Sequence, residues 1–200
     1  MKRSQVAAPL VGLFALALLA LPGSNALAAE GDDEARVEVV EFFWYGCPHC
    51  YRFQSELYDW LDDKPDYVDF KMVPALVSSD WETHARAFYA AELMGVLGTF
   101  HHPFYDAIHA EGQRLETVES IAEFAESLGI DGDEFAALMD SFGVENRLRE
   151  ARALNQEYGV RGTPSMGVNG ELISPRGFDS FSAMMEAVDD NAAREAGVDG

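Results

Sequence analysis

Cysteine occurs only twice in this 200-residue chain and lysine only three times, while acidic residues number 35. Two cysteines cannot staple a small coreless domain, so the fold has to rest on buried apolar surface. The shortage of basic charge argues against nucleic acid and anionic lipid surfaces as partners, because so acidic a surface repels both. There is no internal repeat and no low-complexity tract. Beyond the N-terminus, no apolar run is long enough to span a bilayer. Acidity of this degree also suits disordered chains, but 48% hydrophobic residues with 13 Phe, 7 Tyr and 3 Trp point to a packed core.

The N-terminus has its own logic. Lys2 and Arg3 precede an apolar run from Val11 to Leu21, and "PGSNALA" then ends in small residues. This is the layout of a cleaved secretory signal over residues 1–28, with cleavage after Ala28 and Ala26 at the other small position. The mature chain is expected to be exported and soluble. Without Lys2 and Arg3 it carries 12 basic and 35 acidic residues, a formal charge of −23.

Residues 29–200 suit one domain, or one domain with a sizeable insertion. Val37 to Tyr45 is almost continuously apolar, β-branched or aromatic, which reads as a central strand buried on both faces. A helix from about Pro48 to Leu61 follows, with Phe53, Leu57, Trp60 and Leu61 at helical spacing and proline at its first position. "YVDFKMVP" gives a second strand, and the crossover implies parallel pairing. Apolar residues then recur at three and four through residues 80–154 and on to about Tyr158, punctuated by Gly95, Gly112, Gly129 and Gly143. Thr117 and Asp131 sit at N-cap positions, and only Asp131, with Glu134 three residues on, matches a capping box. Strand character returns in "PSMGVNGELIS", where Asn169-Gly170 signals a two-residue hairpin. A last helix from about Asp179 to Val188 closes the α/β part, residues 155–192, and a frayed tail is expected over 193–200. The fold class is therefore α/β: residues 29–79 and 155–192 form one layer, and residues 80–154 form an inserted all-helical subdomain.

The two cysteines lie in "EFFWYGCPHCYRF", separated by Pro48 and His49. As a staple, Cys47–Cys50 closes too short a loop to remove much chain entropy. A zinc site needs four ligands, and His49, His84, His101, His102 and His109 do not repeat the spacing of a finger or ribbon, so no metal is expected. As a redox pair, each residue has a mechanism. A sulfur at a helix N-terminus faces unpaired N–H groups and the positive end of the dipole, which favours thiolate at Cys47. Cys50, one turn deeper, is then the shielded resolving partner. His49 either donates to the Cys47 thiolate or adds positive charge, or else is a solvent-exposed helix residue without a role. If it stabilises the reduced form, His49→Ala makes the couple more reducing.

Two further features bear on this pair. Glu41 lies among Val39, Val40, Phe42, Phe43 and Trp44, where an unpaired carboxylate is costly. It either pairs with Lys71 of the adjacent strand or relays protons beneath Cys50 with its pKa raised, and the two roles are compatible. Thr163-Pro164 opens the returning strand. A cis bond there presents a bare strand edge beside Cys47 that can pair with extended peptides, whereas a trans proline merely ends a turn.

"EFFWYGCPHC", a helical insertion and "GVRGTP" together resemble the periplasmic thiol-disulfide oxidoreductases of the DsbA family. The resemblance spans essentially the whole mature chain and implies a thioredoxin-like fold with a helical insertion. It implies Cys47 as the nucleophile, Cys50 as its partner, Pro48 and His49 as the tuning pair between them, Glu41 as the buried acid, and Thr163 with Pro164 as the cis-proline, substrate-binding loop. It implies a monomer that oxidises newly exported, cysteine-containing proteins and is reoxidised by a DsbB-type membrane quinone reductase, with no bound cofactor and in the periplasm. A disulfide reductase or isomerase would use the same cysteines but rest as the dithiol. A non-enzymatic metal- or peptide-binding module on a redox fold is the rival from another class.

Overall fold

The computed structural model describes residues 36–198. The expected signal segment, residues 1–28, lies outside them. Four strands form one sheet in the order β2-β1-β3-β4, with β1 at Val37–Phe43, β2 at Val68–Pro74, β3 at Ser165–Val168 and β4 at Glu171–Ile173. β1 pairs parallel with β2, as the crossover through helix α1 (Pro48–Asp63) requires, and antiparallel with β3. The hairpin between β3 and β4 turns on Asn169 and Gly170, both at positive φ (42° and 92°), the conformation that a tight two-residue turn demands of both positions.

β1 is buried on both faces because each face meets a separate core. Val37 and Val39 pack with Phe53, Leu57 and Trp60 of α1 and with Met184, Met185 and Val188 of the last helix, α7 (Phe181–Ala196). Val40 and Phe42, on the other face, pack with the aromatic interior of the insertion, and Phe43, at the end of the first face, reaches the same interior. Each fully buried side chain of this kind stabilises the fold by roughly 1.5–3 kcal/mol. That interior is built from α2 (Glu82–Leu93), α3 (Leu97–His109), α4 (Val118–Ser127), α5 (Gly132–Met139) and α6 (Phe142–Glu157), after a 3-10 turn at Ser79–Trp81. Asn155 of α6 ties the insertion to the sheet. Its side-chain amide donates to the Pro74 carbonyl at 3.1 Å and accepts from the Leu76 N–H at 3.1 Å, satisfying main-chain groups where β2 ends.

Several local expectations are corrected. β1 stops at Phe43 rather than Tyr45, because Trp44 leaves the sheet to stack on Trp81 at 4.5 Å. The reciprocal capping box belongs to Thr117 and not to Asp131: Thr117 and Ser120 each accept from the other's main-chain N–H, since a serine hydroxyl can do what the pattern reserves for Glu or Gln. Asp131 caps α5 one way only, accepting from the Glu134 N–H at 2.9 Å. Gly143 does not divide helices but lies in the first turn of α6, which Ser141 caps. α7 continues to Ala196, past the expected end at Val188 and into the segment expected to fray. Ala192 is buried beneath it, and Gly197, at φ 69°, ends it.

Candidate active site

The turn between β1 and α1 places Cys47 as the N-cap of a 16-residue helix, with Pro48 at the first helical position. Pro48 has no N–H to leave unpaired there, and its fixed φ suits the first turn. Gly46 is required by packing: a Cβ there would lie 2.3 Å from the Trp44 ring. Both cysteines are free thiols in this structure. Cys47 Sγ accepts from the Cys50 main-chain N–H at 3.4 Å. When protonated, Cys47 directs its S–H at the Thr163 carbonyl, 3.5 Å away.

The two sulfurs titrate in opposite directions. The Cys50 thiol donates to Cys47, and that contact, aided by the Thr163 side chain and by the main-chain N–H groups of Cys50 and His49, outweighs partial burial and lowers Cys47 to about 5. Cys50 is completely buried, and desolvation together with the neighbouring Cys47 charge raises its thiol well above the ordinary value. One sulfur is thus ionised at neutral pH, and the other holds its proton.

His49 is exposed, and its ring Nδ1 accepts from Arg52 Nη2 at 2.9 Å. What His49 brings to Cys47 here is its main-chain N–H. Arg52 is a neighbour that sequence reasoning missed, although its i+3 position relative to His49 on the helix signals the contact.

Glu41 is wholly buried, and desolvation raises its carboxyl to about 8 despite a hydrogen bond from Gln54 at 3.4 Å. The expected pairing with Lys71 is not made. Register sets Lys71 opposite Val40 and Glu41 opposite Met72, so Lys71 projects from the other face of the sheet. There Lys71 Nζ donates to Glu38 Oε2 at 2.5 Å, and Glu38 also accepts from the Tyr158 hydroxyl at 3.2 Å. Glu41 is close enough to Cys50 for its charge to raise the Cys50 thiol further. Gln54 and His101, both buried polar residues beside this acid, were not singled out from sequence. Their signal was a polar residue at a helix position facing the core.

The Thr163-Pro164 bond is cis and lies where β3 begins, against Cys47. The structure therefore brings Cys47, Cys50, Pro48, Glu41, Thr163 and Pro164 together from three parts of the chain. The rim of the site is held by the insertion: the His109 ring of α3 donates from Nε2 to the Tyr45 carbonyl at 2.7 Å. Among the described residues, no group of three or more His, Cys, Asp or Glu side chains is placed to hold a metal ion.

The geometry has relatives. The family described as DSBA-like thioredoxin domain matches residues 66–189. The thiol:disulfide interchange protein DsbA of Azotobacter vinelandii is 43% identical over 136 residues, 68% of this chain and 64% of that protein. DsbA of Pseudomonas aeruginosa is 34% identical over 80% of this chain and 84% of its own. The crystal structure of Pseudomonas aeruginosa DsbA superposes with a TM-score of 0.77, covering 81% of this chain and 85% of that one. NmDsbA1 of Neisseria meningitidis, 21% identical with a TM-score of 0.68, shares the fold.

Proposed function

From the premise that this chain belongs to the DsbA family of thioredoxin-fold proteins, we propose that it is a thiol:disulfide oxidoreductase that donates its Cys47–Cys50 disulfide to other proteins. The observation that carries the reading is the split between the two sulfurs, Cys47 near 5 and Cys50 held well up.

A substrate thiolate attacks Cys47 Sγ of the oxidised enzyme. The Cys47–Cys50 bond breaks, its electron pair leaves on Cys50, and a mixed disulfide joins Cys47 to the substrate. Because the Cys50 thiol has a high proton affinity, its departure calls for a proton. Glu41, protonated at neutral pH and within electrostatic reach, supports the reading of that residue as the donor. A second substrate thiolate then attacks the substrate sulfur of the mixed disulfide and expels Cys47, which leaves readily as a stable thiolate. The substrate has lost two electrons and two protons and gained a disulfide, and the enzyme is left as the dithiol.

The stabilised Cys47 thiolate favours the reduced enzyme and so makes the disulfide oxidising. This supports oxidase over reductase or isomerase. Substrates are unfolded or newly exported chains with cysteines. They lie along the main chain at Thr163-Pro164, just before the interior strand β3, and across a cleft of about 670 Å3 beside Gly46, whose lining includes Trp44, His84, Ile108 and Leu115. The enzyme works as a monomer in the periplasm, carries no bound cofactor, and passes its electrons to a DsbB-type membrane quinone reductase.

The test is oxidation of a reduced, unfolded model protein, together with the equilibrium of the Cys47–Cys50 couple against glutathione. Stoichiometric disulfide transfer is expected, lost in Cys47→Ser and trapped as a mixed disulfide in Cys50→Ser. A couple as reducing as a cytosolic reductase would sink the oxidase reading.

A further inference from the structure

Four buried polar side chains from different elements form a line beneath the active site. Tyr45 Oη lies 2.6 Å from His101 Nδ1, His101 Nε2 lies 3.3 Å from Gln54 Oε1, and Gln54 Nε2 lies 3.4 Å from Glu41 Oε1. None of the four is more than 3% exposed. Tyr45 follows β1, His101 belongs to α3 of the insertion, Gln54 to α1 and Glu41 to β1.

Such a line could in principle run either way. In one direction Tyr45 donates to His101, His101 to Gln54, and Gln54 to Glu41. In the other, a protonated Glu41 donates to Gln54, Gln54 to His101, and His101 to the phenol oxygen. The Gln54 amide sets the direction: its Oε1, which can only accept, faces His101 Nε2, and its Nε2, which can only donate, faces Glu41 Oε1, so His101 carries its proton on Nε2 and accepts from Tyr45 O–H at Nδ1. Burial, with His102 nearby, holds His101 neutral and lowers it to about 3, so its ring donates once and accepts once.

We propose that Tyr45 and His101 are positioning residues for the buried acid: a one-way chain of donors through Gln54 ends on Glu41 Oε1 and leaves Oε2 as the oxygen that carries the exchangeable proton. This rests on the role of Glu41 proposed above and extends it. Among the described residues Glu41 Oε2 has no hydrogen-bond partner, so its proton is not committed elsewhere. The other groups facing Glu41 are Cys50 and Tyr58 of α1 and Tyr105 of α3, while β2 and β3 set Met72 and Met166 beside it. Among the described residues no charged side chain shifts it, so the Gln54 donor at the end of the chain is what opposes desolvation. An N–H aimed at a carboxylate favours ionisation, which makes Glu41 release its proton more readily than burial alone would allow.

The test uses the full-length reduced protein and two NMR readouts, the 15N tautomer signature of His101 and the 13C titration of the Glu41 carboxyl. Wild type should show His101 as the Nε2–H tautomer at neutral pH. Tyr45→Phe, which keeps the ring and removes the first donor of the chain, should raise the Glu41 midpoint by about one unit, the scale of one weakened hydrogen bond. His101→Leu should do the same, and His101→Gln, which restores a donor toward Gln54, should bring the midpoint back toward wild type. An Nδ1–H tautomer in wild type overturns the proposal, as does an unchanged midpoint in folded Tyr45→Phe. These readouts do not depend on turnover: the expected tautomer and shifts in a protein without oxidase activity would uphold the chain and reject the enzyme.

Discussion

The main-chain N–H of Cys50 points at Cys47 Sγ from 3.4 Å, so the sulfur that caps helix α1 is held as an anion by the residue it bonds to when oxidised. Reduction exchanges a covalent bond for a set of hydrogen bonds to one thiolate, and that exchange favours the reduced state.

Cys47 should be alkylated rapidly at pH 6, with a thiolate absorbance midpoint near 5, while Cys50 resists until the protein unfolds. Because the His49 ring is turned to Arg52 and the donors to Cys47 come from Cys50, Thr163 and main-chain groups, His49→Ala should leave the midpoint below 7. A midpoint near the unperturbed value of about 8.5 in that variant would assign the activation to the ring.

The reduced protein should be more stable than the oxidised one at pH 7, and the gap should close in acid. The Cys47 pKa is depressed on folding, so its stabilisation is present above the unfolded value and is lost as pH falls through about 5. The oxidised form has no such group. Thermal unfolding of both forms from pH 3 to 9 checks this, and a gap that does not change across pH 5 would contradict it.

Glu41 should cost stability at alkaline pH. Its folded pKa is raised from 4.5 to about 8, so the native state binds the proton more tightly, and the benefit is lost as pH rises through about 8. Glu41→Gln should therefore be the more stable protein at pH 9, by on the order of 4 kcal/mol, and show little advantage at pH 4. Oxidation of substrate should be slower in the same variant if Glu41 supplies the proton to Cys50. Urea unfolding at the two pH values, beside single-turnover rates, measures both effects.

Lys71→Met should matter little. Its partner is Glu38 on a solvent-facing pair, both side chains about two-fifths exposed, and such pairs are worth about 0–1 kcal/mol. The Glu41 titration should not move. A rise in the Glu41 midpoint would revive the abandoned pairing.

Much of this protein is legible along the chain. The aromatic strand, proline at the start of α1, the hairpin at Asn169-Gly170 and the three-and-four spacing of the insertion are local patterns, and local geometry follows from them. Cys47 as a helix cap needs only the order of residues around Pro48. By contrast, which side of β1 Lys71 faces depends on the register between two strands separated by a helix, and a shift of one residue exchanges the faces. Tertiary packing alone decided that Lys71 meets Glu38, that the His49 ring turns to Arg52, and that α7 runs on to Ala196 over a buried face. Packing also brought Tyr45, Gln54 and His101 into line with Glu41. Sequence could show Glu41 as a buried acid in need of a partner, because burial follows from its neighbours in the strand. Its partners come from α1 and from an insertion helix 60 residues on, and only the closing of the insertion over the sheet sets them at hydrogen-bond distance.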